Sequence, residues 1–262
     1  MNVYPAICKE NLIHKYIMEV NKIYNMDCME LINSGKLDKK VDLVVTDAPY
    51  EFINKNPVGW GFMNKENKKH LHKVNDSFGM SFEPTELLES CKRVCKKFNG
   101  YFFTNKSLLT KYIGFAEKNK YKFDVLLWLK NNPVPVFKWH YLIDKEYIIY
   151  IHESWATFNS NLGYENYFTY QTFPIGKRDW WHPTEKPQHL LDRLIKISSN
   201  EWDLIFDPYM WSWTTAAACK ELWRNYIGCE INPEYCKMCD ERLWIKSEKR
   251  EVSLFDYLLD NI

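Results

Sequence analysis

The first residues whose side chains could take part in a reaction follow a largely apolar run. Val41 to Val45 predicts a buried strand that leads directly into Thr46-Asp47-Ala48-Pro49-Tyr50. In open α/β sheets, ligands bind beyond the carboxyl ends of the strands, so a site is expected at Asp47. The Asp47 carboxylate and the Ala48 carbonyl would form a pair of hydrogen-bond acceptors that can orient an amino group and stabilise positive charge on it. The alternative is a strand that simply ends in a turn.

A second group of residues surrounds another predicted strand. Leu204 to Phe206 leads into Asp207, a loop, and a helix from about Thr214, which is the order of a nucleotide-binding crossover. The helix amino terminus favours an anionic group. About twenty residues later, a further strand ends at Glu230, whose carboxylate would accept hydrogen bonds from ribose hydroxyls. This arrangement predicts a site for a nucleotide-like cofactor.

Three segments, in chain order, carry a family resemblance. They are Asp47-Ala48-Pro49-Tyr50, His182-Pro183-Thr184-Glu185-Lys186-Pro187 and the loop from Asp207 to Thr215. They resemble the catalytic tetrapeptide, the pre-cofactor motif and the cofactor loop of the beta-group DNA amino-methyltransferases, the DNA methylase N4/N6 family. The resemblance runs from about Lys22 to about Leu243. It implies transfer of a methyl group from S-adenosylmethionine to an amino group of a DNA base.

The resemblance also implies a role for each matching residue. Asp47 and Ala48 would supply acceptors for the target amine, Pro49 would stiffen the turn, and Tyr50 would stack on the extracted base. The implied cofactor-binding residues are Asp27, Thr184, Lys186, Asp207, Tyr209, Trp211, Ser212, Trp213, Thr214 and Glu230. For Asp27, helix capping is the other interpretation.

The target base is indicated by the first residue of the tetrapeptide. Aspartate at this position is typical of the adenine-N6 enzymes of the family, whereas the cytosine-N4 enzymes usually carry serine. Asp47 therefore favours a site-specific adenine-N6 DNA methyltransferase. The alternatives are cytosine-N4 methylation and a catalytically inactive DNA-binding protein of the same fold. The family usually has proline in place of Ala48, and alanine keeps the carbonyl acceptor while reducing rigidity.

Tryptophan stands where the family has glycine at five positions. The family loop reads Asp-Pro-Phe-x-Gly-Ser-Gly-Thr-Thr, so Trp211 and Trp213 replace two glycines, and Trp155, Trp202 and Trp223 occupy comparable places. The chain has 9 Gly and 11 Trp, although average usage of about 7% predicts roughly 18 Gly. Our hypothesis is that the gene uses UGA as a glycine codon and was translated with UGA as tryptophan. The alternative is a decayed or repurposed enzyme.

The apolar pattern predicts an α/β fold, because short apolar runs alternate with segments of helical period. With the resemblance, this becomes a Rossmann-like methyltransferase with a mainly parallel sheet, helices on both faces and permuted motif order. The predicted strands are 22–26, 42–46, 101–104, 123–129, 147–151, 204–206 and 226–229, and the predicted helices are 83–97, 187–198 and 234–245, with a further helix from about 214. We expect a single domain over residues 1–262, with a target-recognition insert at about 131–181.

Composition bears on partners and location. A formal charge of +1 gives no bulk attraction for nucleic acid, so contacts to double-stranded DNA are expected from a local basic loop, Lys65 to Lys73. No apolar run is long enough for a signal peptide or a membrane span, so we expect a cytoplasmic protein. A homodimer and a cognate restriction endonuclease are further partners that the resemblance leaves open.

The eight cysteines are interpreted as reduced thiols. Cys91 and Cys95 lie four residues apart on an amphipathic helix, which places both on its buried face. Cys236 and Cys239 have the spacing of metal ligands, but a lone pair seldom forms a four-ligand zinc site. We therefore expect no metal.

Overall fold

The structure is a computed structural model that describes residues 18–48, 83–133, 141–175, 186–211 and 213–243. Its centre is an eight-stranded sheet. The strands are β1 (Lys22–Tyr24), β2 (Leu43–Thr46), β3 (Asn99–Thr104), β4 (Lys122–Leu129), β5 (Lys145–His152), β6 (Tyr170–Thr172), β7 (Leu204–Asp207) and β8 (Asn225–Cys229). All the strands predicted from the sequence are confirmed, and β6 is an addition that the sequence pattern did not indicate.

The strand order explains why residues distant in sequence meet. The order is β1-β8-β7-β2-β3-β5-β4-β6, and neighbours run parallel except β5, which is antiparallel to both β3 and β4. The mainly parallel sheet is therefore confirmed. All four residues of β2 are buried, as expected for a central parallel strand with both faces covered. Because β2 and β7 are parallel neighbours, their carboxyl ends lie at the same edge.

Helices cover both faces of the sheet, as predicted. They are α1 (Cys28–Asn33), α2 (Pro84–Val94), α3 (Leu109–Asn119), α4 (Gln188–Ser198), α5 (Thr214–Glu221) and α6, residues 233–243. Apolar side chains of α1, α2 and α3 belong to one core cluster, whereas those of α4, α5 and α6 belong to the other. The sequence pattern predicted α2, α4, α5 and α6, and it missed α1 and α3.

Helix α2 shows how local sequence signals lead to this packing. Glu83 caps its amino terminus by accepting a hydrogen bond from the backbone N–H of Thr85 at 3.3 Å, and Pro84 occupies the first turn, where its missing N–H costs nothing. The predicted apolar face is confirmed, since Leu87, Leu88, Cys91 and Val94 are all buried. Cys95, which follows the helix, is fully buried too.

Part of the predicted insert belongs to the sheet. Within residues 141–175, β5 lies between β3 and β4, and β6 pairs with β4 at the sheet edge. Between them, Tyr164–Tyr167 forms a short 3-10 helix. Arg193 of α4 ties this segment to the core by donating to the carbonyl of Asn166 at 2.7 Å. No helix of the described ranges is long and apolar enough to cross a bilayer, and the basic loop Lys65 to Lys73 lies outside those ranges.

Candidate active site

Asp47 lies immediately after β2, and only one of its two carboxylate oxygens accepts a hydrogen bond from a described residue. Its Oδ2 accepts a hydrogen bond from Lys186 Nζ at 2.6 Å. Its Oδ1 is buried and has no hydrogen-bond partner among the residues that the structure describes. A buried carboxylate oxygen without a donor carries a substantial desolvation cost. A hydrogen bond from a ligand to this oxygen would offset that cost. Ala48 is buried beside it, and Pro49 and Tyr50 lie outside the described residues.

Asp47 belongs to a chain of four alternating charges. The Lys186 ammonium contacts both Asp47 and Glu146, the latter at 3.2 Å, and Lys130 contacts the other oxygen of Glu146 at 2.8 Å. Lys186 is only 6% exposed. Burial raises the pKa of Asp47, and the Lys186 charge opposes this rise. Burial also acts to raise the pKa of Glu146, but its two lysine partners outweigh that effect and leave it lowered.

Asp207 braces the loop that follows β7. One of its carboxylate oxygens accepts from the backbone N–H of Tyr209 at 3.1 Å, and the other accepts from the Thr215 hydroxyl at 2.7 Å. The side chain therefore joins the start of the loop to the first turn of α5. Burial raises the pKa of Asp207 to about 6, although the hydrogen bond from Thr215 opposes the change. Thr214, the first residue of α5, is also buried.

Glu230 and Asp27 lie after the adjacent strands β8 and β1. Glu230 Oε1 accepts from the backbone N–H of Asn232 at 2.7 Å, and burial raises the pKa of the Glu230 carboxyl to about 7. Asp27 caps α1, since its Oδ1 accepts from the backbone N–H of Met29 at 2.7 Å. The capping interpretation of Asp27 is thus confirmed, and its side chain is exposed.

Trp211 closes the cleft between the ends of β2 and β7. Its indole Nε1 donates to the backbone carbonyl of Asp47 at 2.8 Å. The cavity that remains there has a volume of about 20 Å³ and is lined by Asp47, Lys186, Asp207 and Trp211 among others. That volume holds about one water molecule, whereas cofactor pockets typically measure about 300–1,000 Å³. With the Trp211 indole in place, the described residues around this cavity therefore leave no room for S-adenosylmethionine.

Trp213 lies in the same loop but packs in a different place. It stands at the cap position directly before α5, where it makes no capping hydrogen bond through its side chain. Its ring packs against the core cluster of α4, α5 and α6, and the Arg242 guanidinium lies 5.6 Å from the ring centroid. A bulky side chain thus occupies the amino terminus of the helix that was expected to receive an anionic group.

The structure brings most of the predicted site residues to one edge of the sheet. Asp47, Lys186, Asp207, Tyr209 and Trp211 line the same cavity, and Thr184 and Ser212 lie outside the described residues. Sequence reasoning missed Glu146 and Lys130. The available signal was a charged side chain at the start of the apolar strand β5 and another directly after β4, strands that pair in antiparallel register.

The cysteines make no metal centre in the described part of the chain, where no group of three or more His, Cys, Asp or Glu residues is arranged to hold an ion. Cys236 and Cys239 are buried, and their thiols point to the backbone carbonyls of Ile23 and Met210 at 3.8 and 3.6 Å. Both therefore help to pack α6 against the sheet.

Comparison with known proteins links this geometry to an enzyme family. The model of the family N6_N4_Mtase, described as DNA methylase, matches residues 41–241. The type II methyltransferase M2.DpnII of Streptococcus pneumoniae is 28% identical over 272 residues, which cover 91% of this chain and 99% of the relative. The DNA adenine methyltransferase YhdJ of Escherichia coli is 48% identical over 66 residues, or 25% of this chain and 22% of the relative.

Solved structures agree with this family match. The crystal structure of the M1.HpyAVI-SAM complex is similar with a TM-score of 0.63 at 26% identity, and the match covers 85% of this chain and 98% of that chain. The matched family region includes the acidic end of β2, Lys186 and the loop after β7. It spans more than half of the sequence, and the strand order supplies the predicted α/β architecture. The chain therefore belongs to the N6/N4 DNA methylase family of S-adenosylmethionine-dependent methyltransferases.

Proposed function

We propose that this protein methylates adenine at N6, at a specific sequence in double-stranded DNA. The observation that carries the proposal is the buried Oδ1 of Asp47, which has no hydrogen-bond donor among the described residues. Aspartate at this position favours adenine over cytosine in the family. Similarity to one relative named as a DNA adenine methyltransferase, YhdJ, supports the same choice of base.

The arrangement around Asp47 suits an amino group as the substrate. The lone pair of an exocyclic amine is delocalised into the ring, so the amine needs acceptors that favour the form carrying positive charge. Lys186 fixes Oδ2 of Asp47, which leaves Oδ1 to accept one N–H of the amine, while the Ala48 carbonyl would accept the second. In this family S-adenosylmethionine supplies the methyl group.

The remaining roles follow from position. Extraction of the base from the duplex would bring its amine to Asp47 and its ring to Tyr50. Lys65 to Lys73 would contact phosphates, and residues 131–181 would read the DNA sequence, so DNA affinity should fall steeply with salt. With the Trp211 and Trp213 indoles removed, Glu230 would bind the ribose hydroxyls of the cofactor, and the amino terminus of α5 would bind its methionine carboxylate.

The biological setting is proposed from the relatives. Several are named as type II methyltransferases, which supports a cytoplasmic role in a restriction-modification system. Such a system would include a cognate restriction endonuclease. Methylation of the shared site would protect the DNA from cleavage by that endonuclease. Whether the methyltransferase acts as a monomer or homodimer is tested by sedimentation of the full chain with and without DNA.

One observation favours a second function. The cavity of about 20 Å³ beside Trp211 does not admit the cofactor, so the chain as written would act as a DNA-binding protein without methyl transfer. Cytosine-N4 methylation is the other alternative, because the family contains both chemistries.

The test is the identity of the methylated base. Unmethylated DNA is incubated with methyl-labelled S-adenosylmethionine and the full chain carrying Trp211→Gly and Trp213→Gly, with the chain as written as the matched control. The DNA is then digested and its nucleosides are separated. Label in N6-methyladenine supports the proposal, and label in N4-methylcytosine overturns the choice of base. Absence of label from a variant that binds the cofactor overturns the enzymatic function.

A further inference from the structure

Three tryptophans have a backbone conformation that favours glycine. The φ angles of Trp155, Trp202 and Trp223 are 66°, 69° and 59°. The other non-glycine residues with positive φ in the described ranges are Asn21, Lys39 and Lys120. In this left-handed region the Cβ atom crowds the following carbonyl oxygen, and only glycine, or at times Asn and Asp, adopts it routinely. Tryptophan has neither the absent Cβ of glycine nor the short polar side chain of Asn and Asp.

The local hydrogen bonds identify two of these sites as tight turns. The Ala156 N–H donates to the Glu153 carbonyl at 3.2 Å, and the Asp203 N–H donates to the Asn200 carbonyl at 3.2 Å. Trp155 and Trp202 are therefore the third residues of four-residue turns. Positive φ at the third position, preceded by negative φ, is the type II pattern, which requires glycine or asparagine there.

The third site is the end of helix α5. The Arg224 N–H donates to the Cys219 carbonyl at 2.9 Å, which closes the helix around Trp223. This is the hydrogen bond of a Schellman motif, in which the residue after the cap is left-handed and is usually glycine. Trp223 thus occupies the most characteristic glycine position of a helix terminus.

All three indoles are mostly exposed. The exposed fractions are 91% for Trp155, 66% for Trp202 and 54% for Trp223. The ring centroids of Trp202 and Trp223 lie 6.1 Å apart. Trp128 provides the contrast. It lies in β4, is only 2% exposed, and donates its indole N–H to the Phe173 carbonyl at 2.9 Å. A tryptophan selected for its side chain is expected to look like Trp128.

Trp211 and Trp213 conflict with function rather than with backbone angles. Trp211 closes the cleft at the ends of β2 and β7, and Trp213 stands at the amino terminus of α5, the two places where the proposed function puts the cofactor. Glycine at both positions would remove both indoles, one of which covers the Asp47 carbonyl, and would let the backbone approach a ligand. The same exchange of residue type therefore explains two different anomalies in the fold.

We propose that the protein made in its source cell carries glycine at positions 155, 202, 211, 213 and 223, and that UGA in its gene specifies glycine. The natural cofactor site is then the cleft without its two indoles. A decayed enzyme is the competing explanation, but decay has no reason to place one residue type at left-handed turns and in a ligand loop. The assignment of glycine at positions 211 and 213 rests on the proposed function, whereas the assignment at positions 155, 202 and 223 rests on the backbone angles alone.

The direct test reads the gene and the protein from the source organism. The five codons are sequenced together with the codon for Trp128, and peptides that span the same positions are weighed by mass spectrometry. We expect UGA and glycine at the five positions, with UGG and tryptophan at Trp128. UGG at positions 211, 213 and 223, or tryptophan in the natural peptides, overturns the proposal.

A second test uses purified full-length protein and does not depend on DNA methylation. Calorimetry with S-adenosylmethionine should give no detectable binding for the chain as written and micromolar binding after Trp211→Gly with Trp213→Gly. Trp155→Gly, Trp202→Gly and Trp223→Gly together should raise the melting temperature. Micromolar binding by the chain as written would overturn the assignment of the cleft. A lower melting temperature of the triple variant would overturn the assignment of the turns.

Discussion

Replacing Trp155 separates the backbone effect of a tryptophan from its side-chain effect. The indole is 91% exposed, so its removal costs little burial. Trp155→Ala and Trp155→Gly both delete the indole, but only glycine relieves the left-handed backbone at φ 66°. The turn hydrogen bond from Ala156 to Glu153 and the contact from Lys97 Nζ to the Trp155 carbonyl involve backbone atoms of residue 155 or its neighbours. Both interactions are therefore available to either variant.

The expected difference between these variants follows from two opposing effects. The left-handed conformation costs a non-glycine residue about 1–2 kcal/mol, and the greater freedom of glycine in the unfolded chain offsets about 0.4–1 kcal/mol. Trp155→Gly should therefore be more stable than Trp155→Ala by about 1 kcal/mol. For a chain of this size this corresponds to a melting temperature higher by about 2–4 °C, measured by calorimetry. A Gly variant that melts at or below the Ala variant would refute the reasoning.

Three further results are expected from urea melts. Trp128→Ala should lower the free energy of unfolding by about 3–5 kcal/mol, because it deletes a buried ring, and an unchanged value would contradict the contrast with Trp155. Glu146→Gln should lower it by about 3 kcal/mol, because Lys130 and Lys186 lose a buried charged partner; a neutral effect would show that the network is dispensable. Burial raises the pKa of Glu230 from 4.5 to about 7, so its stabilising contribution is complete below pH 4.5 and is lost as pH rises through 7. Glu230→Gln removes this loss, so the free energy of unfolding of the variant should exceed that of the parent chain increasingly between pH 5 and pH 8, by up to about 3 kcal/mol. A difference that instead grows toward acid pH would contradict the direction of the Glu230 pKa shift.

The fold was largely predictable because its strongest signals are local. Buried parallel strands such as β2 read as apolar runs, and α2 and α4 carry a clear apolar face with proline near the start. Helix α1 was missed because it has only six residues, too few for a helical period to stand out. Strand β6 was missed because its three residues, Tyr170–Thr172, are not apolar and take their place from pairing with β4.

The site was predictable only where a motif carries it. Asp47, Lys186 and Asp207 were named from the sequence, and the structure gathers them around one cavity. The pairing of Lys186 with Asp47 could not be foreseen, because 139 residues separate them and only the tertiary fold brings them together. Glu146 and Lys130 escaped notice for the same reason. The glycine anomaly was visible in the loop motif, but the left-handed φ values required the backbone.

The most direct measurement concerns the proposed acceptor at the end of β2. In the full chain carrying glycine at 155, 202, 211, 213 and 223, methyl transfer to DNA is compared with and without Asp47→Ala, and the affinity for S-adenosylmethionine is measured in parallel. Loss of one preorganised acceptor should lower the transfer rate by about 10²–10³-fold, while cofactor affinity stays nearly constant because the Asp47 carboxylate acts on the target amine. Near-full activity of Asp47→Ala would contradict the assignment of Asp47 as the catalytic residue.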